Sequence, residues 1–223
     1  MIKDQQVPLQ SKDGPYQHQK SPMALAKISE LENSFIYKIF FWTAGVSCLV
    51  VWSSIMSINS YWSARFSQNV ATYFPFVYMA GALISFLSFI KLNNLISLNK
   101  RIFVPPIYLC ISFIVVAIIG ELMDKSVVKE TIFYVIIFLN GFVSELFQFS
   151  ISSYVFCFGY YEIAAFTNGT SLAALICSTL SFIIFLTVDA NDYFLQITLN
   201  VVMISIVLAL ALLVFYLYFK DFV

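Results

Sequence analysis

A glutamate, a glutamine and a tryptophan stand in this chain where lipid would be expected. Glu145 and Gln148 lie inside the stretch TIFYVIIFLNGFVSELFQFSISSYVFCFG, and Trp52 lies inside GVSCLVVWSSIMSINSYW. A carboxylate at mid-membrane depth costs roughly 2.5–3.5 kcal/mol on insertion scales, so it must face a bundle interior or water. Gly141, Ser144, Glu145, Gln148 and Ser152 recur at three- and four-residue spacing, which makes one polar stripe on a helix. Such a stripe can hydrogen-bond a polar solute or relay protons; it can equally hold helices together. At the same spacing Leu49, Trp52, Ser53, Met56 and Ser60 share a face of the first apolar stretch. That face can wall a substrate cavity, with the indole as a stacking surface. It can also be a close helix contact, because serines let backbones approach. Tryptophan and tyrosine usually mark the headgroup belts, a place that Trp42, Tyr61 and Trp62 can fill.

Other chemistry lacks its residues. The one histidine, His18, sits in a polar tail. Cys48, Cys110, Cys157 and Cys177 fall inside apolar runs without metal-ligand spacing, where thiols act as small hydrophobes. There is no glycine-rich phosphate loop, nucleophile elbow or Ser/His/Asp set. No enzyme activity, cofactor or metal is expected. The net charge is zero, so nucleic acid is not an expected partner.

These residues are positioned by six apolar runs, roughly 35–59, 70–90, 102–120, 131–159, 163–188 and 193–219. Each is long enough for a helical crossing of a bilayer, which takes about 20 residues. Apolar residues are 61% of the chain and charged ones 11%, against about 45–50% and about 25% in ordinary soluble domains. Backbone polar groups in lipid must be satisfied internally, so each run is expected to be helical. A β-barrel would need short alternating segments instead. The fold expected is all-α, a polytopic six-helix transmembrane bundle over 35–223. Residues 1–34 read as a polar, mostly disordered tail without a signal-peptide apolar region, with a short helix along MALAKISELEN. Gly81 with Ser85, and Gly169 with Ala173, Ala174 and Ser178, read as close helix contacts. Pro75, Pro105 and Pro106 read as helix-entry features.

Six spans put both termini on one side, with the second–third and fourth–fifth connections. That side holds nine basic residues, among them Lys3, Lys20, Lys38, Lys100, Arg101 and Lys220; the other holds Arg65, Lys125 and Lys129. The positive-inside rule makes the first side cytoplasmic, and the plasma membrane is the expected membrane. Asn168-Gly169-Thr170 is then a sequon on the cytoplasmic side, expected to be unmodified.

Gly45, Leu49, Trp52, Met56 and Tyr61, with Phe147-Gln148-Phe149-Ser150, Gly169-Thr170-Ser171-Leu172-Ala173-Ala174 and Lys100-Arg101-Ile102, resemble the N-terminal half of the equilibrative nucleoside transporter family. Val51 and Ser53 stand where that family has a proline and an asparagine beside the tryptophan. Phe149 stands for a glycine, and Glu145 for a small or apolar residue. The resemblance covers six of the usual eleven spans. It implies a bundle similar to one half of a major-facilitator-like fold, facilitating nucleoside or nucleobase passage by alternating access against a second half, from the same or another chain. Trp52 and Met56 would pack on the base, Ser53 would replace the family's asparagine, and Gln148 would hydrogen-bond the base. Two alternatives stand beside it. One is a non-transporting truncated relative acting through helix contacts. The other is an unrelated proton-coupled transporter using Glu145.

The charge count is testable by labelling. In a cysteine-less background, an impermeant thiol reagent applied outside intact cells should modify Lys125→Cys and spare Lys20→Cys and Lys220→Cys. The reverse pattern would overturn the orientation.

Overall fold

The computed structural model describes residues 35–189 and 192–222. The 1–34 tail, with its expected short helix, and His18 lie outside them. The described residues form seven helices and no strand. They are α1 (Phe35–Ser57), α2 (Asn59–Arg65), α3 (Gln68–Leu95), α4 (Leu98–Leu122), α5 (Val127–Val155), α6 (Tyr160–Thr187) and α7 (Tyr193–Phe222). All but α2 are long and apolar enough to cross a membrane, with mean hydropathy of 1.7 to 2.8. This is an integral, multi-pass helical bundle.

The helix starts follow local chemistry. Ser67 and Ser126 accept hydrogen bonds from the backbone N–H of Val70 and Lys129. Asp192 accepts from Leu195, and Glu162 accepts from the backbone N–H of Gly159. Each satisfies a donor that a helix start leaves open. The prolines are not entry features. Pro75 lies about two turns inside α3, and Pro105 and Pro106 as far inside α4. Membrane helices tolerate this because neighbouring groups re-satisfy the freed backbone.

The packing repeats itself. The most extensive helix pairings are α1 with α6 and α3 with α5, followed by α1 with α7 and α4 with α5. Exchanging α1 with α5, α3 with α6 and α4 with α7 turns this set into itself. The exchange holds at atomic detail. A Cβ on Gly45 of α1 would strike the Phe166 carbonyl of α6, and one on Gly169 the Trp42 carbonyl of α1. Likewise a Cβ on Gly141 of α5 would strike the Tyr78 carbonyl of α3, and one on Gly81 the Phe138 carbonyl of α5. One constant shift in number carries Trp42 and Gly45 to Phe138 and Gly141; another carries Tyr78 and Gly81 to Phe166 and Gly169. The bundle is therefore two three-span units of opposite direction, related by a pseudo-two-fold axis. The small-residue reading of α6 is corrected in part. Gly169, Ala173 and Cys177 are buried, whereas Ala174 and Ser178 are exposed.

Cations close the helix ends. Lys129 is 1% exposed. Its Nζ donates to the carbonyls of Arg65 at 2.9 Å, Gly120 at 2.9 Å and Met123 at 2.7 Å. One ammonium thus caps the C-terminal ends of α2 and α4, where the helix dipole is negative. Beside it, Arg65 grips Glu121 with two nitrogens, at 2.8 and 3.0 Å. At the other end of α4, buried Arg101 donates to the Ile96 carbonyl at 3.0 Å and to Ser150 Oγ at 3.3 Å. The aromatic-belt expectation fails for two residues. Tyr61 and Trp62 are fully buried in α2, and Trp62 Nε1 donates to the Ile55 carbonyl at 2.8 Å. Burial, with Glu121 nearby, pushes the Tyr61 hydroxyl far above the usual phenol range. Only Trp42 of the three stays exposed.

Replacing Lys129 by Met should destabilise the bundle by on the order of 2–4 kcal/mol, because three carbonyls lose a charged donor. Thermal unfolding in detergent reads this directly. An unchanged melting temperature would remove the clamp from the account of the fold.

Candidate functional site

Helix α1 is central, and most of it is buried. Leu49, Trp52 and Ser53 are part-exposed and Met56 reaches 43%, as does Trp42 nearer the start of the helix. The face shared by Leu49, Trp52, Ser53 and Met56 is therefore open, on a helix whose other mid-span residues are mostly buried. Ser60 falls beyond the break at Ile58, on α2.

The polar stripe of α5 divides in two. Gly141 packs against the Tyr78 backbone, and Ser144 Oγ donates to the Cys48 carbonyl of α1 at 2.9 Å. These are contacts between helices. Glu145, Gln148 and Ser152 remain part-exposed. Glu145 has neither a hydrogen bond nor an ion pair among the described residues. The helix-contact reading thus holds for Gly141 and Ser144, while the other three members face away from such contacts. Nearby, fully buried Asn140 also leaves both amide atoms unpartnered.

The Ser144–Cys48 bond sets the register of α1 against α5. The two helices belong to opposite units and run antiparallel. Trp52 is four residues beyond Cys48 in one direction, and Gln148 is four residues beyond Ser144 in the other. At 1.5 Å per residue they sit roughly 12 Å apart along the bundle. Glu145 comes closer to the level of Trp52, and Tyr78 joins the two. Its ring stacks on the indole with centroids 3.9 Å apart, and it lies against Ser144 and within electrostatic reach of Glu145.

The pseudo-symmetry explains this layout. The shift that carries Gly45 to Gly141 also carries Leu49, Trp52 and Met56 to Glu145, Gln148 and Ser152. The open face has two equivalent arms, one apolar and aromatic on α1, the other polar on α5. Sequence reasoning found both arms but not their relation. A signal was present. An aromatic residue stands three before glycine in Trp42–Gly45, Tyr78–Gly81, Phe138–Gly141 and Phe166–Gly169. It also missed Tyr78 and the Lys129 clamp.

Three clefts lie elsewhere among the described residues, one of them an open groove of about 500 Å³ between α1 and α6 that includes Lys38, Trp42, Tyr161 and Asn168. A groove of about 260 Å³ between α4 and α7 is apolar apart from Glu121 and Thr198. A cavity of about 70 Å³ at the α1–α2 break is lined by Ser57, Ser60, Ser181, Gln196 and Asn200. Ser60 apart, none of the three includes a residue of the two predicted faces. No group of His, Cys, Asp or Glu among the described residues could hold a metal.

No protein-family model and no curated protein matches the chain.

Proposed function

We propose that this chain forms one wall of a facilitative nucleoside transporter that works by alternating access against a second bundle. The observation that carries the reading is the pair of symmetry-related arms: Leu49, Trp52 and Met56 on α1, Glu145, Gln148 and Ser152 on α5. A nucleoside has the matching polarity. Its base is flat with an apolar face, and its ribose is hydroxylated. The spacing of roughly 12 Å along the bundle suits a base joined to a ribose and exceeds a free base. The base would lie on Trp52 and Met56, with Ser53 at its edge. The ribose hydroxyls would donate to Glu145 and exchange hydrogen bonds with Gln148.

The face needs a partner. An unpaired carboxyl in contact with hydrocarbon is unfavourable, so the polar arm must be covered by protein or line water. Inverted three-plus-three units build each half of major-facilitator transporters, with the substrate between halves. A second bundle, from another copy or another chain, would supply the facing wall. The charge count supports cytoplasmic termini, and the plasma membrane is proposed as the membrane.

A second reading is favoured by the same unpartnered Glu145: it carries a proton across the mid-plane in a coupled transporter. Uptake by vesicles holding the full chain separates the two. Under the first reading, Trp52→Ala weakens nucleosides and free bases alike, because every base has a π-face worth roughly 1–3 kcal/mol in stacking. Gln148→Ala weakens nucleosides and spares free bases. Under the second, Glu145→Gln abolishes the pH dependence of uptake in a protein that still folds. Equal losses for nucleoside and base on Gln148→Ala would overturn the two-arm assignment. Absence of any nucleoside uptake or binding at millimolar concentration would overturn the function.

A further inference from the structure

We propose that Tyr78 is a positioning residue that holds the Trp52 indole as a fixed platform for the base; this rests on the nucleoside reading of the open face. The Tyr78 and Trp52 rings stack with centroids 3.9 Å apart and planes 23° apart. Phe74 meets the indole edge-on at 6.0 Å and 68°. Both supporting rings are buried, Tyr78 at 6% and Phe74 at 1% exposure, whereas Trp52 is part-exposed. No other ring contacts Trp52 among the described residues. The indole is thus supported by one ring, edged by a second and free of rings on its outer side.

The support is itself anchored. The Tyr78 carbonyl lies against Gly141, in the space a Cβ would need. The α3 backbone is thereby pressed onto α5, one turn from Ser144 and Glu145. Any side chain at 141 would push Tyr78 away and loosen the indole. A single contact therefore sets both the orientation of the aromatic arm and its distance from the polar arm. An isolated tryptophan on an open helix face would lose rotamer freedom on binding; a stacked one has already lost it.

The chain has three tryptophans, so full-length protein labelled with 5-fluorotryptophan should give three ¹⁹F resonances. Trp52→Phe identifies the one from Trp52. Tyr78→Leu should move that resonance and leave those of Trp42 and Trp62 in place. Adenosine at millimolar concentration should move it in the parent. Tyr78→Leu should weaken adenosine at least about fivefold, the low end of a stacking contact. Tyr78→Phe keeps the ring and should hold both the resonance and the affinity. Gly141→Ala should move the Trp52 resonance without touching the indole. A Trp52 resonance indifferent to Tyr78→Leu overturns the positioning role. A resonance that responds to Tyr78→Leu while adenosine moves it in neither protein overturns the nucleoside reading and leaves only the stack.

Discussion

Helices in lipid gain little by hiding apolar side chains from one another, because the lipid tails are as apolar as leucine. What holds them is close packing, and close packing here depends on four glycines meeting carbonyls. Gly45 and Gly169 bring α1 against α6, and Gly81 and Gly141 bring α3 against α5. The two helix pairs are copies, and the remaining contacts follow from placing them back to back. The Ser144–Cys48 hydrogen bond spans the junction of the copies. So does Cys110 to Ser205, from α4 to α7, at 3.5 Å. A methyl group at any of the four glycines would displace backbone rather than a flexible side chain. The arrangement of the whole bundle, the open face included, therefore rests on these contacts.

The aromatic residue three before each glycine has its own part. Its carbonyl is the atom the facing glycine admits. At Tyr78 the side chain does further work, since its ring supports Trp52. The packing contact and the candidate site thus share a residue. This coupling also limits the site. A platform built on a backbone contact cannot shift without separating α3 from α5. The buried cations act in the same direction. Lys129 ties the start of α5 to the ends of α2 and α4, and Arg101 ties the start of α4 to Ile96 and Ser150.

Much of this was legible in the residues, and the failures have physical causes. Six spans could be read because a bilayer imposes a length and a composition that few other settings produce. Their ends were less legible. Pro105 and Pro106 suggested a helix start, yet α4 begins at Leu98, with Arg101 making a hydrogen bond to Ile96 in its first turn. Tyr61 and Trp62 have the chemistry of a headgroup belt, and only tertiary contacts decide that they turn inward. The burial of Lys129 was not legible, because nothing local to VVKET reveals that three carbonyls converge on it. The polar stripe of α5 was visible as periodicity. Which members pack and which stay open was not, because Gly141 and Ser144 differ from Gln148 and Ser152 only in what lies opposite. The register of α1 against α5 depends on contacts some hundred residues apart, and no periodicity encodes it.

The treatment of polar groups gives the strongest reason to regard the α1–α5 face as functional. Lys129 has three acceptors, Arg65 and Glu121 have each other, and Arg101 has two acceptors. These four side chains near the ends of the bundle have partners. Glu145, deeper in the span than any of these, has none among the described residues. An unpaired polar group in low dielectric is unfavourable whatever its surroundings do. A fold that gives these four side chains partners and leaves a part-exposed mid-span carboxyl without one is consistent with a contact that the single bundle does not itself contain. The equivalent position on α1 is Leu49, which is apolar, so the symmetry of the fold does not require a carboxylate there. The two copies of one position have diverged in polarity, and an amphipathic occupant lying across both arms is what such divergence would suit.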